Sequence, residues 1–335
     1  MNNIEHAFQI GMITEEEKNL IYEYNRRLSD NNVPIIYNFR HLRQLLQIKK
    51  SEQTKLFGIE KYKSYTTFKI PKKNGGVRLI EAPDERMKMV QYWIKENILD
   101  KFSVSKYAKG FVKGVSICHN ALPHVRKEVI INIDLKDFFP SIKYEDVFKI
   151  FKYIGYTESV SKSLTNLCTN ERSVLPQGAP TSPVLSNLVS LKLDARLSGL
   201  AKKICASYTR YADDITFSGS KHILKYQELI KEIINDEGYQ INEEKYRVRC
   251  NFQHQEVTGL TVNSKISISK KLKKEIENAI YYCKKYGVID HMNRINCERG
   301  FYKEHLYGIA YYIKMIDEEK GKSYIDQLNS IEWPV

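Results

Sequence analysis

Two adjacent aspartates, Asp213 and Asp214, follow Tyr211-Ala212 at a turn between two β-forming stretches, and a third, Asp134, ends the apolar run Val129-Ile130-Ile131-Asn132-Ile133. If those stretches are neighbours in one sheet, the three carboxylates converge at one end of it. Converging aspartates offer hard oxygen donors, which suit Mg²⁺, with Mn²⁺ as a second candidate. Two such ions, about 3.5–4 Å apart, serve phosphoryl transfer to a sugar hydroxyl: one activates the attacking oxygen and the other steadies the departing pyrophosphate. Aspartates are also ordinary turn formers, because they tolerate turn geometry and bond their own backbone. Tyr-x-Asp-Asp alone therefore does not separate a site from a turn; the neighbouring elements must.

Those elements are legible. Residues 3–50 read as helical, with Thr14 ahead of Glu15-Glu16-Glu17 as an N-terminal cap. Residues 65–82 read as a hairpin, two β-rich runs joined through Pro71-Lys72-Lys73-Asn74-Gly75-Gly76, where Asn-Gly is a strong turn signal. A helix over about 84–101 follows, then the strand ending at Asp134. Residues 143–170 are amphipathic and predicted helical. A proline-rich loop at 175–183 leads into a helix through about 203, and 205–218 form a second hairpin. A helix at about 221–237, a pair of strands around 246–263 and a helical region from about 269 complete the chain. Strands and helices alternate without the period of a doubly wound sheet, which predicts an α+β domain with helices against one face of an antiparallel sheet.

Composition narrows the partner. The 335 residues carry 53 Lys+Arg against 40 Asp+Glu, a net charge of +13, together with 23 tyrosines. A basic excess with many aromatic rings favours a polyanion whose bases can be stacked upon. A merely solvated basic surface is the alternative. The 6 cysteines are widely spaced with no Cys-x-x-Cys, so reduced thiols are expected rather than a zinc site or disulfides. No long apolar run and no basic-then-apolar leader is present, which predicts a cytoplasmic protein with no membrane partner.

In order along the chain, Asn132–Ser141 (Asn-Ile-Asp-Leu-Lys-Asp-Phe-Phe-Pro-Ser), Leu175–Pro183 (Leu-Pro-Gln-Gly-Ala-Pro-Thr-Ser-Pro), Tyr208–Asp214 and Gly238–Lys245 resemble the successive palm motifs of reverse transcriptases, and the 65–82 hairpin resembles their fingers. The resemblance spans about residues 65–263. It implies a right-hand polymerase: an N-terminal helical extension over 1–50, fingers over 51–130, a palm over 131–256 with finger helices inserted at about 143–174, and a small helical thumb over 257–335. It also implies roles. Asp134 and Asp213 would hold both metals, with Asp214 in support and the Leu135 backbone carbonyl as a further ligand. Phe139 would gate the sugar, Gln177 and Gly178 would line the nucleotide pocket, and Arg78 with Lys72 or Lys73 would grip the triphosphate of the dNTP. Lys245 would meet the departing pyrophosphate. Phe139 has a core alternative and Lys245 a surface-charge alternative.

Two shorter strings are similar to signatures of the retron branch: Asn120-Ala121-Leu122-Pro123-His124, and Val257-Thr258-Gly259. Asn120 could simply cap a turn, and a histidine such as His124 is more often a satisfied structural residue than a functional one; both are carried as candidate RNA-binding or family-signature residues. Tyr307, Tyr311 and Lys314 lie in a stretch similar to the thumb helix of such enzymes, a surface suited to RNA, although the tyrosines fit a core helix as well. A retron enzyme is implied to use its own structured noncoding RNA as template and 2′-hydroxyl primer. It makes branched, RNA-linked single-stranded DNA (msDNA) and serves antiphage defence with a separate effector protein. Alternatives are a group II intron-like or diversity-generating reverse transcriptase, a template-independent polymerase, and a catalytically idle nucleic-acid-binding scaffold.

Overall fold

The computed structural model describes residues 3–58, 60–71 and 77–334. Its centre is a four-stranded antiparallel sheet in the order β4-β5-β3-β6, with β3 at Val129–Asp134, β4 at Ser207–Tyr211, β5 at Asp214–Gly219 and β6 at Arg247–Cys250. Before it comes the hairpin of β1 (Tyr65–Pro71) and β2 (Val77–Pro83). The predicted pair of strands around 246–263 is corrected: β6 joins the main sheet beside β3, while β7 (Glu256–Val257) and β8 (Leu260–Thr261) form a separate hairpin. Periodicity shows that a segment is extended; it does not show which neighbour the segment bonds.

Period-two alternation gives the sheet two unlike faces. One face sends Ile131, Ile133, Ile215 and Phe217 into the main apolar core. Helices Tyr144–Ile154, Glu158–Cys168, Ser182–Val189 and Leu191–Lys203 also supply that core. The predicted helix over 143–170 is thus two helices, broken where Gly155 takes a left-handed backbone. The other face is polar at one end, and at the other Ile130 meets Ala121, Val257, Leu260 and Val262 in a small apolar cluster. The C-terminal helices Lys270–Tyr286, Val288–Arg294, Tyr302–Ile316 and Glu318–Asn329 enclose a core of their own. That unit touches the small cluster through Tyr312 and Ile316.

One strand residue breaks the apolar rule. Arg210, on β4, is 0% exposed, and so is its partner Asp194 on helix Leu191–Lys203. Arg210 Nε and Nη2 donate to both Asp194 carboxylate oxygens at 2.8 and 2.7 Å, and the Tyr208 hydroxyl donates to Asp194 Oδ1 at 2.6 Å. Burying two ions is costly unless every donor is used. Here the remaining Nη1 donates to Asn187 Oδ1 and to the Ala212 carbonyl at 3.1 and 3.2 Å. The outer edge of β4 is covered by residues 107–109: Arg210 N–H donates to the Tyr107 carbonyl and Lys109 N–H donates to the Arg210 carbonyl.

Removing one ion strands the other in the core. Asp194→Asn and Arg210→Met are each expected to cost about 3–5 kcal/mol of stability. The double variant Asp194→Leu/Arg210→Met should cost less than the sum of the single changes, as denaturant unfolding in a double-mutant cycle would show.

Candidate active site

The site is built by strand register. In the β3–β5 pairing Asp134 stands directly opposite Asp214, and in the β4–β5 hairpin Tyr211 pairs with Asp214. Ala212 and Asp213 are left as a two-residue loop, with Ala212 at φ +57°. The Leu135 N–H donates to the Asp213 carbonyl at 3.0 Å, tying the loop to the end of β3. The three aspartates therefore meet at one end of the sheet, on its polar side.

Electrostatics reflect that convergence. Loss of water, opposed by a hydrogen bond from its own backbone and reinforced by the charge of Asp134, raises the Asp213 pKa. Asp214 keeps an exposed edge at the rim, yet desolvation, followed by the charges of Asp213 and Asp134, pushes its pKa up to about 7. Like charges brought this close favour a cation. One is present in the chain: Lys245 Nζ donates to both oxygens of Asp134 at 2.9 Å, and Asn242 Nδ2 to one at 3.2 Å. Partial burial works against the Lys245 charge, but the bond to Asp134 outweighs it and holds the ammonium pKa above its usual value.

The donor set is all oxygen and fits Mg²⁺, which commonly takes one or two carboxylates plus substrate phosphates. Among the described residues, no group of three or more His, Cys, Asp or Glu is arranged to hold an ion without such help.

Around the carboxylates the other expected residues fall as follows. Phe139 is half-buried, its ring 5.6 Å from Phe138 and 5.9 Å from Phe111. Arg78 is exposed on β2, and its charge reaches Asp213. Lys72 and Lys73 lie outside the described residues, as does the Asn74-Gly75 turn. The Gln177 carbonyl accepts from the Glu81 N–H of β2 at 2.9 Å. Gly178, at φ +139°, has no room for a Cβ, which would stand 2.9 Å from the Glu81 carbonyl oxygen. Its glycine is thus required first by the close approach of β2. Glu81 itself accepts from Asn170 and Arg172. This network clamps the hairpin to the strand-helix body, and a single sequence offers no sign of it.

The two short signature strings touch. Asn120 Nδ2 donates to Thr258 Oγ1 at 3.2 Å, and Thr258-Gly259 form the tight turn between β7 and β8, both at positive φ. Val257 is buried in the small apolar cluster. His124 is corrected from an RNA-contact candidate to a structural residue. Fully buried, it joins Thr209 Oγ1 of β4 (2.8 Å) to Ser218 Oγ of β5 (2.6 Å), and burial lowers its pKa to about 3. A neutral ring used on both nitrogens has nothing left for a nucleic acid.

In the C-terminal unit, Tyr307 donates to Asn329 Oδ1 and packs near Trp333, whereas Tyr311 is exposed. A more extensive aromatic surface, which sequence reading missed, lies on helix Lys270–Tyr286. There Tyr282 stacks on Tyr286, Lys285 lies over Tyr281 and Tyr286, and Arg294 lies 4.2 Å above the Tyr286 ring. The spacing Tyr281-Tyr282 with Lys284-Lys285-Tyr286 was the available signal.

The raised pKa of Asp214 has a thermodynamic sign. An unfolded aspartate titrates near about 3.9. Between there and its folded value of about 7, the native state holds more protons than the unfolded one, so the stability this group contributes falls as pH rises across that window. Asp214→Asn is therefore expected to raise the melting temperature in EDTA at pH 8, on the order of 2–4 °C. The gain should vanish below about pH 4. Thermal melts at both pH values check this.

Comparison with known proteins agrees with the geometry. Residues 70–276, more than half of the chain, match the family described as reverse transcriptase (RNA-dependent DNA polymerase). The chain is 34% identical to the retron Ec86 reverse transcriptase of Escherichia coli over 312 residues, covering 91% of this chain and 93% of that one. It is 36% identical to the retron Mx65 reverse transcriptase of Myxococcus xanthus, over 78% of this chain and 64% of that relative, so it spans a little under two thirds of the latter's length. A solved structure of telomerase from Candida albicans with a fragment of telomeric RNA aligns over 88% of this chain and 66% of that one, at 13% identity and TM-score 0.43, a likeness too remote to carry an argument. With Asp134 opposite Asp214 in register and relatives of this similarity, the chain belongs to the reverse transcriptases, in their retron branch.

Proposed function

We propose that this chain is an RNA-directed DNA polymerase that copies its own structured noncoding RNA, starts from a 2′-hydroxyl of a guanosine in that RNA, and leaves the msDNA branched to it. The observation that carries the chemistry is the register that sets Asp134 opposite Asp214, with Asp213 in the adjoining turn. Asp134 and Asp213 are the carboxylates that would hold Mg²⁺ or Mn²⁺, helped by Asp214 and the Leu135 carbonyl. Two bound ions would sharpen the attacking hydroxyl and neutralise the departing pyrophosphate.

The chain's own groups do the rest. Arg78, with Lys72 or Lys73 from the hairpin turn, binds the triphosphate of the dNTP; a guanidinium suits phosphate oxygens in pairs. Gln177 and Gly178 set the floor of the nucleotide pocket through their attachment to β2. Phe139 lies under the sugar and excludes a 2′-hydroxyl. Lys245 keeps positive charge beside Asp134, where it can turn to the pyrophosphate as it leaves. Asn120 steadies the Thr258-Gly259 turn, and the exposed Tyr281-Tyr282-Lys285-Tyr286 surface, with Tyr311 and Lys314, contacts the RNA. In domain terms, fingers span 51–130, the palm 131–256 and the thumb 257–335, after a helical extension over 1–50. The setting is the bacterial cytoplasm, with a separate effector protein in antiphage defence.

Purified protein with its cognate RNA, Mg²⁺ and deoxynucleotides should make a discrete DNA that shortens on debranching. Asp213→Asn/Asp214→Asn should lower synthesis at least about 10²–10³-fold, with RNA affinity within about threefold of the parent. Full synthesis by that variant would refute the carboxylate assignment. Expression with the flanking upstream DNA that yields no RNA-linked product would refute the priming reading and leave the polymerase reading standing.

A further inference from the structure

Residues 107–111 run along the outer edge of β4 and end in an aromatic residue whose conformation its own packing does not explain. Phe111 has φ +62°, a left-handed backbone that is unfavourable for a bulky residue. The residue is 48% exposed, so burial does not offset that strain. Strain of this kind persists only where the surroundings impose it, and it gathers at functional sites.

The surroundings are the back of the catalytic turn. Lys109 N–H donates to the Arg210 carbonyl at 2.7 Å, and the Gly110 carbonyl accepts from Asn187 Nδ2 at 2.9 Å. A Cβ on Gly110 would stand 2.6 Å from the Ala212 nitrogen, so the Gly110 peptide lies flat on the Tyr211-Ala212 backbone. Asn187 is the same side chain that accepts from Arg210. The position of Phe111 is therefore fixed by the groups that fix the turn. From there its ring faces Phe139 at 5.9 Å between centroids, tilted by 46°, within the range of a favourable aromatic pair.

We propose that Phe111 is a second specificity-determining residue of the incoming-nucleotide site, forming with Phe139 a two-ring wall on the sugar side. Phe139 has one flank against Phe138. Phe111 adds a second neighbouring ring, which restrains the gate from swinging aside to admit a 2′-hydroxyl. The proposal rests on the reading of Phe139 as that gate.

Single-nucleotide extension of a DNA primer on an RNA template, with dATP against ATP, tests both. Phe139→Ala should lower the ratio of kcat/KM for dATP over ATP, and Phe111→Ala should lower it about tenfold or more. The loss in Phe111→Ala should come chiefly from a lower KM for ATP, with the change in kcat/KM for dATP much the smaller of the two. Phe111→Leu should restore part of the discrimination. The double variant should discriminate no worse than Phe139→Ala, because both act on one wall. If Phe139→Ala relaxes discrimination and Phe111→Ala does not, the proposal is overturned and the gate stands. If Phe139→Ala leaves discrimination intact, the gate reading itself is wrong and the wall falls with it. A Phe111→Ala protein with lowered melting temperature and equal losses on both nucleotides would mark a structural residue and also overturn the proposal.

Discussion

The catalytic end of this molecule hangs on a buried guanidinium. Arg210 spends two donors on Asp194 and shares a third between Asn187 and the Ala212 carbonyl, so the turn that carries Asp213 is held from beneath by a charge that cannot move without exposing another. An ion pair of this type contributes little net stability relative to an apolar filling. It gives direction instead. Each of its bonds has a required angle, and the loop above inherits that definition. Three carboxylates that repel one another need such a base, since nothing in their mutual interaction would hold them together.

The same logic runs outward. β3 is bonded on both sides, by β5 and β6, and β5 likewise by β4 and β3, so Asp134 and Asp214 both belong to interior strands. His124 staples β4 to β5 as a neutral ring. The Glu81–Gly178 contact ties the β1–β2 hairpin, the arm that carries Arg78, to the loop at 175–183. The C-terminal helices, by contrast, meet the body through a small cluster around Val257 and Leu260.

Much of this was legible from residue order. Apolar strands ending in aspartate, the Asn-Gly turn and the ordered motifs gave the α+β class, and the chemistry followed from the donor type. What escaped was whatever depends on pairing across the chain. β6 was read only as one of a pair of strands around 246–263, because nothing in Arg247–Cys250 names β3 as its partner. Arg210 stood inside a recognised string, yet its burial depends on an aspartate that a helix brings from sixteen residues away. His124 carried a recognised pattern whose physical basis, two hydroxyls on two strands, appears only when the sheet is assembled. Gly178 was legible as a residue expected to line the nucleotide pocket, but the atom that crowds it belongs to β2.

The two borders of the central sheet bear on colloidal behaviour. A free strand border is a template on which another chain can add, and a protein with many β-formers is exposed to that risk. Here the β4 border is sheathed by residues 107–109, and the β6 border is only four residues long and carries Arg247 and Arg249. Two like copies approaching along β6 would meet cation against cation. The same arginines would draw a phosphate backbone toward that flank, so a single placement of charge disfavours strand addition there and favours a polyanion.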